Sequence, residues 1–187
     1  MTFEQINVDD RVLYKQMISD DLRNDILNYF QSKESGLIPV KGSREFPLRK
    51  QIREIPKELA SELVKELSTT LSQYYIKFNP NINNIRLYLS NFGIVEPHRD
   101  IAVYPQDTHT CLIYITDDFE GGVLTVKLPR TLEHINCFGE TEKKHIAITP
   151  EPRVNYGVIF PKNIIHYTDM LTSGNKLILL IDCEIIN

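Results

Sequence analysis

Hydrophobic residues in the first third of the chain recur at the spacing of an amphipathic helix. Ser19 or Asp20 can cap the first predicted helix, because a short polar side chain accepts a hydrogen bond from the free N–H groups of the first turn, and Gly36 ends it. Its apolar face comprises Leu22, Ile26, Tyr29 and Phe30. A second helix is predicted to begin near Pro56, since proline is tolerated in a first turn, and to end ahead of Pro80. Its apolar stripe comprises Leu63, Leu67 and Leu71.

The segment between these helices, residues 36–53, has no helical periodicity. Pro39, Gly42 and Pro47 interrupt regular elements there and indicate a loop or short strands. We interpret this segment as a candidate lid.

From Ile85 onward, apolar residues alternate with polar ones at the period of a β-strand. In residues 85–90 and 110–116, alternate positions carry aliphatic side chains or cysteine. This first face comprises Ile85, Leu87, Leu89, Cys111, Ile113 and Ile115. The opposite face carries Arg86, Tyr88, Ser90, Thr110, Leu112, Tyr114 and Thr116. We expect the first face to pack against the helices and the second to line a wet or liganded interior, because unpartnered polar groups are costly in a dry core.

The remaining predicted strands are short. A glycine-containing loop at residues 117–122 precedes a strand at residues 123–128, and the closing strands are predicted at residues 154–160, 164–168 and 176–183. Residues 129–152 are expected to form a long irregular excursion. This pattern predicts an α+β, mainly β fold: a double-stranded β-helix (jelly roll) with the N-terminal helices packed on the outer face of one sheet. We expect one domain over residues 1–187, with helical support and the candidate lid in 1–84 and the jelly-roll core in 85–187.

Composition narrows the function classes. A net charge of -4 over 187 residues provides no large basic field, so we expect no nucleic-acid partner. No segment approaches the roughly 18 apolar residues of a membrane helix, and the first residues lack a basic region leading into an apolar run. We therefore expect a cytoplasmic protein without a membrane partner. The three cysteines have no CxxC spacing, which argues against a zinc ribbon or a disulfide framework.

Candidate chemistry lies in the triplet His98-Arg99-Asp100 and in His166. His98 and Asp100 are two residues apart at a strand end, so both side chains point to one side. Together with His166 they match the 2-His-1-carboxylate arrangement that holds non-haem Fe(II) and leaves coordination positions open. Lys176 shares a strand face with Ile178 and Leu180 and can project into the same interior. His109, His134 and His145 have no comparable partners and are interpreted as surface or loop residues.

In this context the chain resembles the 2-oxoglutarate/Fe(II)-dependent dioxygenases, and most of all their prolyl 4-hydroxylase-like branch. The resemblance covers residues 85–183. It is carried, in this order, by Glu96-Pro97-His98-Arg99-Asp100, Glu120-Gly121-Gly122, Gly157 before Val158-Ile159-Phe160-Pro161, His166, and Gly174-Asn175-Lys176.

The resemblance implies a role for each matching residue. His98, Asp100 and His166 would ligate Fe(II), and Lys176 would pair with the distal carboxylate of 2-oxoglutarate. Because lysine offers a compact charge instead of a bidentate fork, neighbouring hydroxyl groups would complete the partners of that carboxylate. Tyr88, Tyr114 and Thr168 are the residues expected to contact the cosubstrate.

The implied activity is O2-dependent hydroxylation of an unactivated C–H bond with release of succinate and CO2, and ascorbate is a candidate reductant. We expect a peptidyl side chain, such as proline, as substrate. A free amino acid or another small metabolite is the alternative within the same chemistry, and a non-catalytic metal-binding jelly-roll module is the alternative from another class. Nucleic-acid demethylation is disfavoured because no Arg-x-Asn-x-Thr-x-Arg pattern follows His166. The sequence leaves the oligomeric state open.

Overall fold

The computed structural model describes residues 6–7, 12–33, 37–39, 49–52, 55–100, 102, 104–135, 138 and 140–186. The helices of this part are α1 (Asp20–Lys33) and α2 (Lys57–Ser72). The strands of the N-terminal half are β1 (Ile6–Asn7), β2 (Val12–Gln16), β3 (Ile38–Pro39), β4 (Arg49–Ile52), β5 (Lys77–Ser90) and β6 (Gly93–His98). The later strands are β7 (His109–Tyr114), β8 (Phe119–Glu120), β9 (Leu124–Ile135), β10 (Thr141–Ile148), β11 (Tyr156–Pro161), β12 (His166–Leu171), β13 (Ser173–Gly174) and β14 (Lys176–Ile186).

The strands form two main antiparallel sheets. The large sheet has the order β1-β2-β11-β7-β14-β5-β4-β3, and the small sheet has the order β10-β9-β12-β6. Strands β8 and β13 form a separate two-stranded pair. Side chains from both main sheets share one apolar cluster, in which Tyr88, Leu112 and Ile178 of the large sheet meet Leu124 and Val126 of the small sheet. Two antiparallel sheets packed face to face confirm the predicted jelly-roll class.

The helices cover the outer face of the large sheet, as predicted. Leu63, Leu67 and Leu71 of α2 are fully buried in a second cluster with Ile26 of α1 and Leu87 of β5. Burying each of these aliphatic side chains contributes about 1.5–3 kcal/mol relative to exposure. This cluster fixes the large sheet from behind and leaves its other face for the interior of the roll.

Ser19 caps α1 and joins it to α2. Its Oγ accepts a hydrogen bond from the Leu22 N–H at 3.2 Å, and its own N–H and hydroxyl donate to the Glu66 carboxylate at 2.8 and 2.6 Å. The second helix begins directly after Pro56, but it ends at Ser72, and strand β5 begins at Lys77 and runs through Pro80. The strand therefore starts earlier than the alternating pattern predicts, because its first half pairs with the end of β14 at the register Cys183↔Pro80.

The predicted division of β5 and β7 into two faces is confirmed. Ile85, Leu87, Leu89, Cys111, Ile113 and Ile115 belong to the cluster beneath the helices. Tyr88, Leu112 and Tyr114 belong to the cluster inside the roll. The inward direction of the side chains that line the site follows from this alternation.

The expected irregular excursion at residues 129–152 is wrong. Strand β9 continues to Ile135 and pairs with β10 through partners from Thr141↔Ile135 to Ile148↔Val126. The register shifts between His145 and Ala147, opposite Pro129, where a residue without a backbone N–H is tolerated. Most positions in residues 129–135 and 141–145 are polar in the sequence and conceal this part of the hairpin, whereas Val126 and Leu128 of β9 belong to the cluster inside the roll.

The N-terminal part also contributes strands. Strand β2 pairs with β11, and β3 and β4 extend the large sheet beyond β5. The candidate lid falls mostly on residues 36, 40–48 and 53, which lie outside the described part of the chain. Within the described ranges, no helix is both long and apolar enough to cross a membrane.

Candidate metal centre and active-site cavity

The three predicted metal ligands come together at one end of the small sheet. His98 is the last residue of β6, Asp100 follows two residues later, and His166 is the first residue of β12. Strands β6 and β12 pair antiparallel with His98 and His166 as direct Cα partners. Because direct cross-strand partners project to the same face, the register brings both imidazoles to one point.

The separations of the ligand atoms fit one ion. Each Nε2, of His98 and of His166, lies 3.6 Å from Oδ1 of Asp100. One donor atom from each of the three residues lies within 4.8 Å of the others. His166 is buried, Asp100 is partly buried and His98 is exposed, so the centre lies on the boundary between the interior and the solvent.

Each imidazole also forms a hydrogen bond through Nδ1, the ring nitrogen that does not face Asp100. Nδ1 of His98 lies 2.8 Å from the Glu96 carbonyl oxygen, and Nδ1 of His166 lies 3.0 Å from the Ile164 carbonyl oxygen. A carbonyl only accepts, so each Nδ1 carries a proton and each Nε2 is the ring atom turned toward the Asp100 carboxylate. The two Nε2 atoms and the carboxylate oxygen are brought together by a positive centre between them, which is either a proton or a metal ion bound by all three residues. The donor set therefore fits a divalent metal ion.

Asp100 is held in the ionised form. Its Oδ2 accepts a hydrogen bond from the Thr110 hydroxyl at 2.6 Å, and its backbone N–H donates to the Lys162 carbonyl at 3.0 Å. Burial raises the pKa of the Asp100 carboxyl, but hydrogen bonding from His166, His98 and Thr110 outweighs it and holds the pKa well below its usual range. A permanently charged carboxylate is the form that ligates a metal ion.

The three ligands open into a cavity of about 610 Å³ between the two sheets. Of the residues expected to contact a cosubstrate, Tyr88, Thr168 and Lys176 line it. Tyr88 is 8% exposed, and the Thr168 hydroxyl accepts a hydrogen bond from the Val95 N–H at 3.2 Å. The inner faces of the two sheets therefore supply hydroxyl groups, and the large sheet supplies one ammonium group, to the cavity that holds the metal ligands.

Lys176 is buried, at 5% exposure, and its ammonium donates to the Gly122 carbonyl. Gly122 adopts a φ of +64°, and a Cβ atom there would lie 3.4 Å from Cδ of Lys176 and 3.2 Å from two atoms of Leu171. A glycine at this position allows the hairpin loop to approach the lysine closely. A buried ammonium group attracts anions, so this end of the cavity favours a carboxylate.

Tyr114 lies outside the set of residues that line the cavity. It is fully buried, and the ammonium of Lys176 lies 5.9 Å from the centre of its ring. Burial raises the pKa of the Tyr114 phenol well above its usual value. In this arrangement Tyr114 supports the stem and charge of Lys176, whereas Tyr88 faces the cavity directly.

Sequence reasoning missed the importance of Arg86. The strand alternation places it on the inner face, two residues before Tyr88, and its side chain lines the cavity. Its Nη2 lies 2.9 Å from Oδ2 of the buried Asp182. Lys162, in the loop after β11, is 5% exposed and forms an ion pair with the same aspartate. The inward position of Arg86 is the one signal in the sequence that indicates this cluster.

The interpretation of three further histidines as surface or loop residues is wrong for His109. It begins β7, is 3% exposed, and its Nδ1 lies 2.7 Å from the Thr108 hydroxyl. It is buried because the strand alternation that exposes Thr108 turns His109 toward the helices. His134 and His145 lie on β9 and β10 instead of in a loop.

Neither the protein-family models nor the curated proteins match this sequence. Solved structures do match it. A prolyl 4-hydroxylase from Pseudomonas putida aligns with a TM-score of 0.62 at 13% identity, over 95% of this chain and 94% of that chain. A viral collagen prolyl hydroxylase from Paramecium bursaria Chlorella virus-1 aligns with a TM-score of 0.57 at 14% identity, over 98% and 100% of the two chains.

The likeness extends beyond prolyl hydroxylases. The non-haem α-ketoglutarate-dependent epimerase SnoN, from nogalamycin biosynthesis, aligns with a TM-score of 0.64 at 13% identity, over 92% of this chain and 75% of that chain. The predicted resemblance is thus confirmed at the level of the fold: the chain has the double-stranded β-helix of the 2-oxoglutarate/Fe(II)-dependent oxygenases, prolyl hydroxylases among them.

Proposed function

We propose that this protein is an Fe(II)- and 2-oxoglutarate-dependent oxygenase that hydroxylates an unactivated C–H bond. One observation carries the proposal. Two imidazoles in a cross-strand pair donate through Nδ1 to backbone carbonyls and turn Nε2 toward an ionised carboxylate at the mouth of a cavity that also contains a buried ammonium. This donor set is the one that non-haem Fe(II) oxygenases use.

His98, Asp100 and His166 would hold the iron. When bound, Fe(II) and 2-oxoglutarate supply the activation of O2, with succinate and CO2 as coproducts. The protein contributes the rest through its own residues. The Glu96 and Ile164 carbonyls orient the two imidazoles, and Thr110 orients the carboxylate of Asp100.

Lys176 would bind the distal carboxylate of 2-oxoglutarate. Its side chain is buried, and the Tyr88 and Thr168 hydroxyls lie on the wall of the same cavity. Tyr114 and Phe119 have their ring centres 5.9 and 5.8 Å from the lysine Nζ and position it by cation–π attraction. The apolar side chains Leu112, Leu124 and Ile178 line the same cavity and would exclude water from a bound cosubstrate.

The substrate that we propose is a peptidyl side chain such as proline. The support is the shared fold with two prolyl hydroxylases that align over more than nine-tenths of each chain. A free amino acid or another small metabolite is the second candidate, and it is favoured by the equally good alignment with SnoN, one structure of which contains nogalamycin RO. We propose a single domain for residues 1–187, in which the N-terminal helices support the large sheet.

Turnover tests the proposal without knowledge of the substrate. The protein, fresh Fe(II), ascorbate as reductant, 2-oxoglutarate and O2 are expected to release succinate slowly, and His98→Ala to release none. Mass spectrometry of peptides and amino acids incubated with the mixture then identifies a product heavier by one oxygen atom. A wild-type protein that binds metal but releases no more succinate than His98→Ala would contradict the oxygenase and favour a non-catalytic metal-binding module.

A further inference from the structure

Three side chains converge on the buried carboxylate of Asp182. Asp182, on β14, is 1% exposed and accepts hydrogen bonds from Nη2 of Arg86 at 2.9 Å, from the Lys162 ammonium and from the Asn84 side-chain amide. These residues come from β5, from β14 and from the loop after β11, so only the folded chain assembles them.

Hydrogen bonds join two cations to one anion in this cluster. Arg86 and Lys162 share the negative charge of Asp182, and Asn84 is neutral. The buried carboxylate of Asp107 lies in the same region, but its hydrogen bond comes from Asn81. The side chains of Lys162 and Asp182 are only 6% and 1% exposed, so solvent screens their charges poorly. An unbalanced charge in such a place is costly unless an anion approaches it.

Arg86 places one of the two cations on the cavity wall. The Arg86 side chain is 22% exposed and lines the cavity together with His98 and Asp100. Among the residues that the structure describes, Asp182 is the single hydrogen-bond partner of Arg86, and the buried Nε of Arg86 donates to none of them. A guanidinium has five N–H donors and binds a carboxylate through two of them, so most of its capacity remains unused.

Bound iron and cosubstrate would not neutralise the charge of Arg86. Fe(II), the Asp100 carboxylate, doubly charged 2-oxoglutarate and the Lys176 ammonium together sum to zero. Glu96 also borders the cavity, but it is exposed and its charge is screened by solvent. One positive charge at Arg86 is therefore left for the other ligand of the cavity.

We infer that Arg86 binds a carboxylate group of the substrate, so that the substrate is an acid with one negative charge near the bond that is hydroxylated. This inference rests on the proposed function, because it assigns the substrate class of the same cavity. The ring of Tyr88, with its centre 5.8 Å from the guanidinium carbon, and Asp182 hold Arg86 in position for this contact. The carboxylate belongs either to a free amino acid or to an acidic residue of a peptide.

Calorimetry on the Mn(II)-loaded protein with saturating 2-oxoglutarate tests the inference without turnover. The probes are the L-amino acids with their carboxamides, and end-capped peptides that contain Asp or Glu with their Asn or Gln counterparts. We expect an acid to bind about 10-fold or more tightly than its amide. The Arg86→Gln variant should lose this preference and keep its affinity for 2-oxoglutarate. If a free amino acid binds, the carboxylate belongs to a free amino acid. If a capped acidic peptide binds, the carboxylate belongs to an acidic residue of a peptide.

Arg153→Gln is the matched control, because Arg153 is an exposed arginine paired with Glu151 outside this cavity. It should keep the preference for acids. Arg86→Gln leaves Asp182 paired with Lys162, so the fold should be retained, which a thermal melt checks. A panel in which no acid binds more tightly than its amide overturns the inference, and so does an Arg86→Gln variant that weakens 2-oxoglutarate instead. Either result leaves the oxygenase proposal standing if succinate is still formed.

Discussion

His98 and His166 are direct cross-strand partners on β6 and β12, with their ring centres 4.3 Å apart. A shift of one residue in this register would turn one of the imidazoles to the opposite face of the sheet. The pairing of two strands therefore sets the position of both imidazoles of the candidate metal centre.

Replacing Lys176 with alanine is predicted to raise the KM for 2-oxoglutarate by about 10-fold or more, because it removes the buried positive charge that would face the distal carboxylate. Metal binding should change little, since Lys176 is not one of the three metal ligands. Succinate assays and metal titrations measure the two effects separately. Lys33→Ala, at the exposed end of α1, is the control. Equal losses of metal and cosubstrate would contradict the role assigned to Lys176.

Thr110→Val is predicted to weaken metal binding about 10-fold, because the 2.6 Å hydrogen bond that orients Asp100 is lost while the side-chain volume is kept. Thr110→Ser should restore most of the affinity, since serine keeps the hydroxyl. Competition with a fluorescent chelator gives the affinities. A Thr110→Val variant with wild-type affinity would show that Asp100 needs no such support.

Lys162→Ala is predicted to lower the free energy of unfolding by about 1–3 kcal/mol, because it removes one charged hydrogen bond from the buried Asp182, which keeps Arg86 and Asn84 as partners. Arg153→Ala breaks an exposed ion pair with Glu151 and should have almost no effect. Urea unfolding of the two variants measures the contrast. Similar values for both would mean that the Asp182 cluster contributes nothing to stability.

The Cys111 thiol is predicted to resist thiol reagents near pH 8 in the folded protein, because burial raises its pKa to about 12. The unfolded chain binds fewer protons at this site above pH 9, so the free energy of unfolding should fall as the pH rises from about 9 toward 12. Cys111→Ala should reduce that alkaline loss. Thiol labelling in a Cys137→Ser background, with chemical denaturation at several pH values, measures both effects. Rapid labelling of the folded protein at pH 8 would contradict the assignment.

Alternation and local spacing were enough to predict part of this structure. The two-residue period of β5 and β7 separated the helix-facing positions from the inner positions, because a strand turns successive side chains to opposite faces. The spacing of His98 and Asp100 indicated a shared ligand point for the same reason. The helices were predicted from the periodic leucines of α2 and from Ser19 as a cap of α1.

Features that depend on chain segments far apart in the sequence were not predicted. Beyond Leu128, the hairpin of β9 and β10 is mostly polar in the sequence, so this part lacks the alternation that marks a half-buried strand. Burial of Lys162 depends on Asp182, which is 20 residues away, and on Arg86, which is 96 residues from Asp182. No local pattern encodes such a pairing. The position of Tyr114 behind Lys176 likewise depends on how the hairpin loop with Gly122 approaches the lysine.

Anaerobic titration of the Fe(II)-loaded protein with 2-oxoglutarate, followed by visible absorption, tests the central claim most directly. A 2-oxo acid that chelates Fe(II) produces a weak metal-to-ligand charge-transfer band. We predict such a band, with an intensity that stops rising when each iron has bound one 2-oxoglutarate. His98→Ala should remove the band, and Lys176→Ala should shift the titration to higher 2-oxoglutarate concentrations. A wild-type protein that binds Fe(II) but develops no band, or a band that persists in His98→Ala, would contradict the proposal that this triad and cavity hold iron and 2-oxoglutarate together.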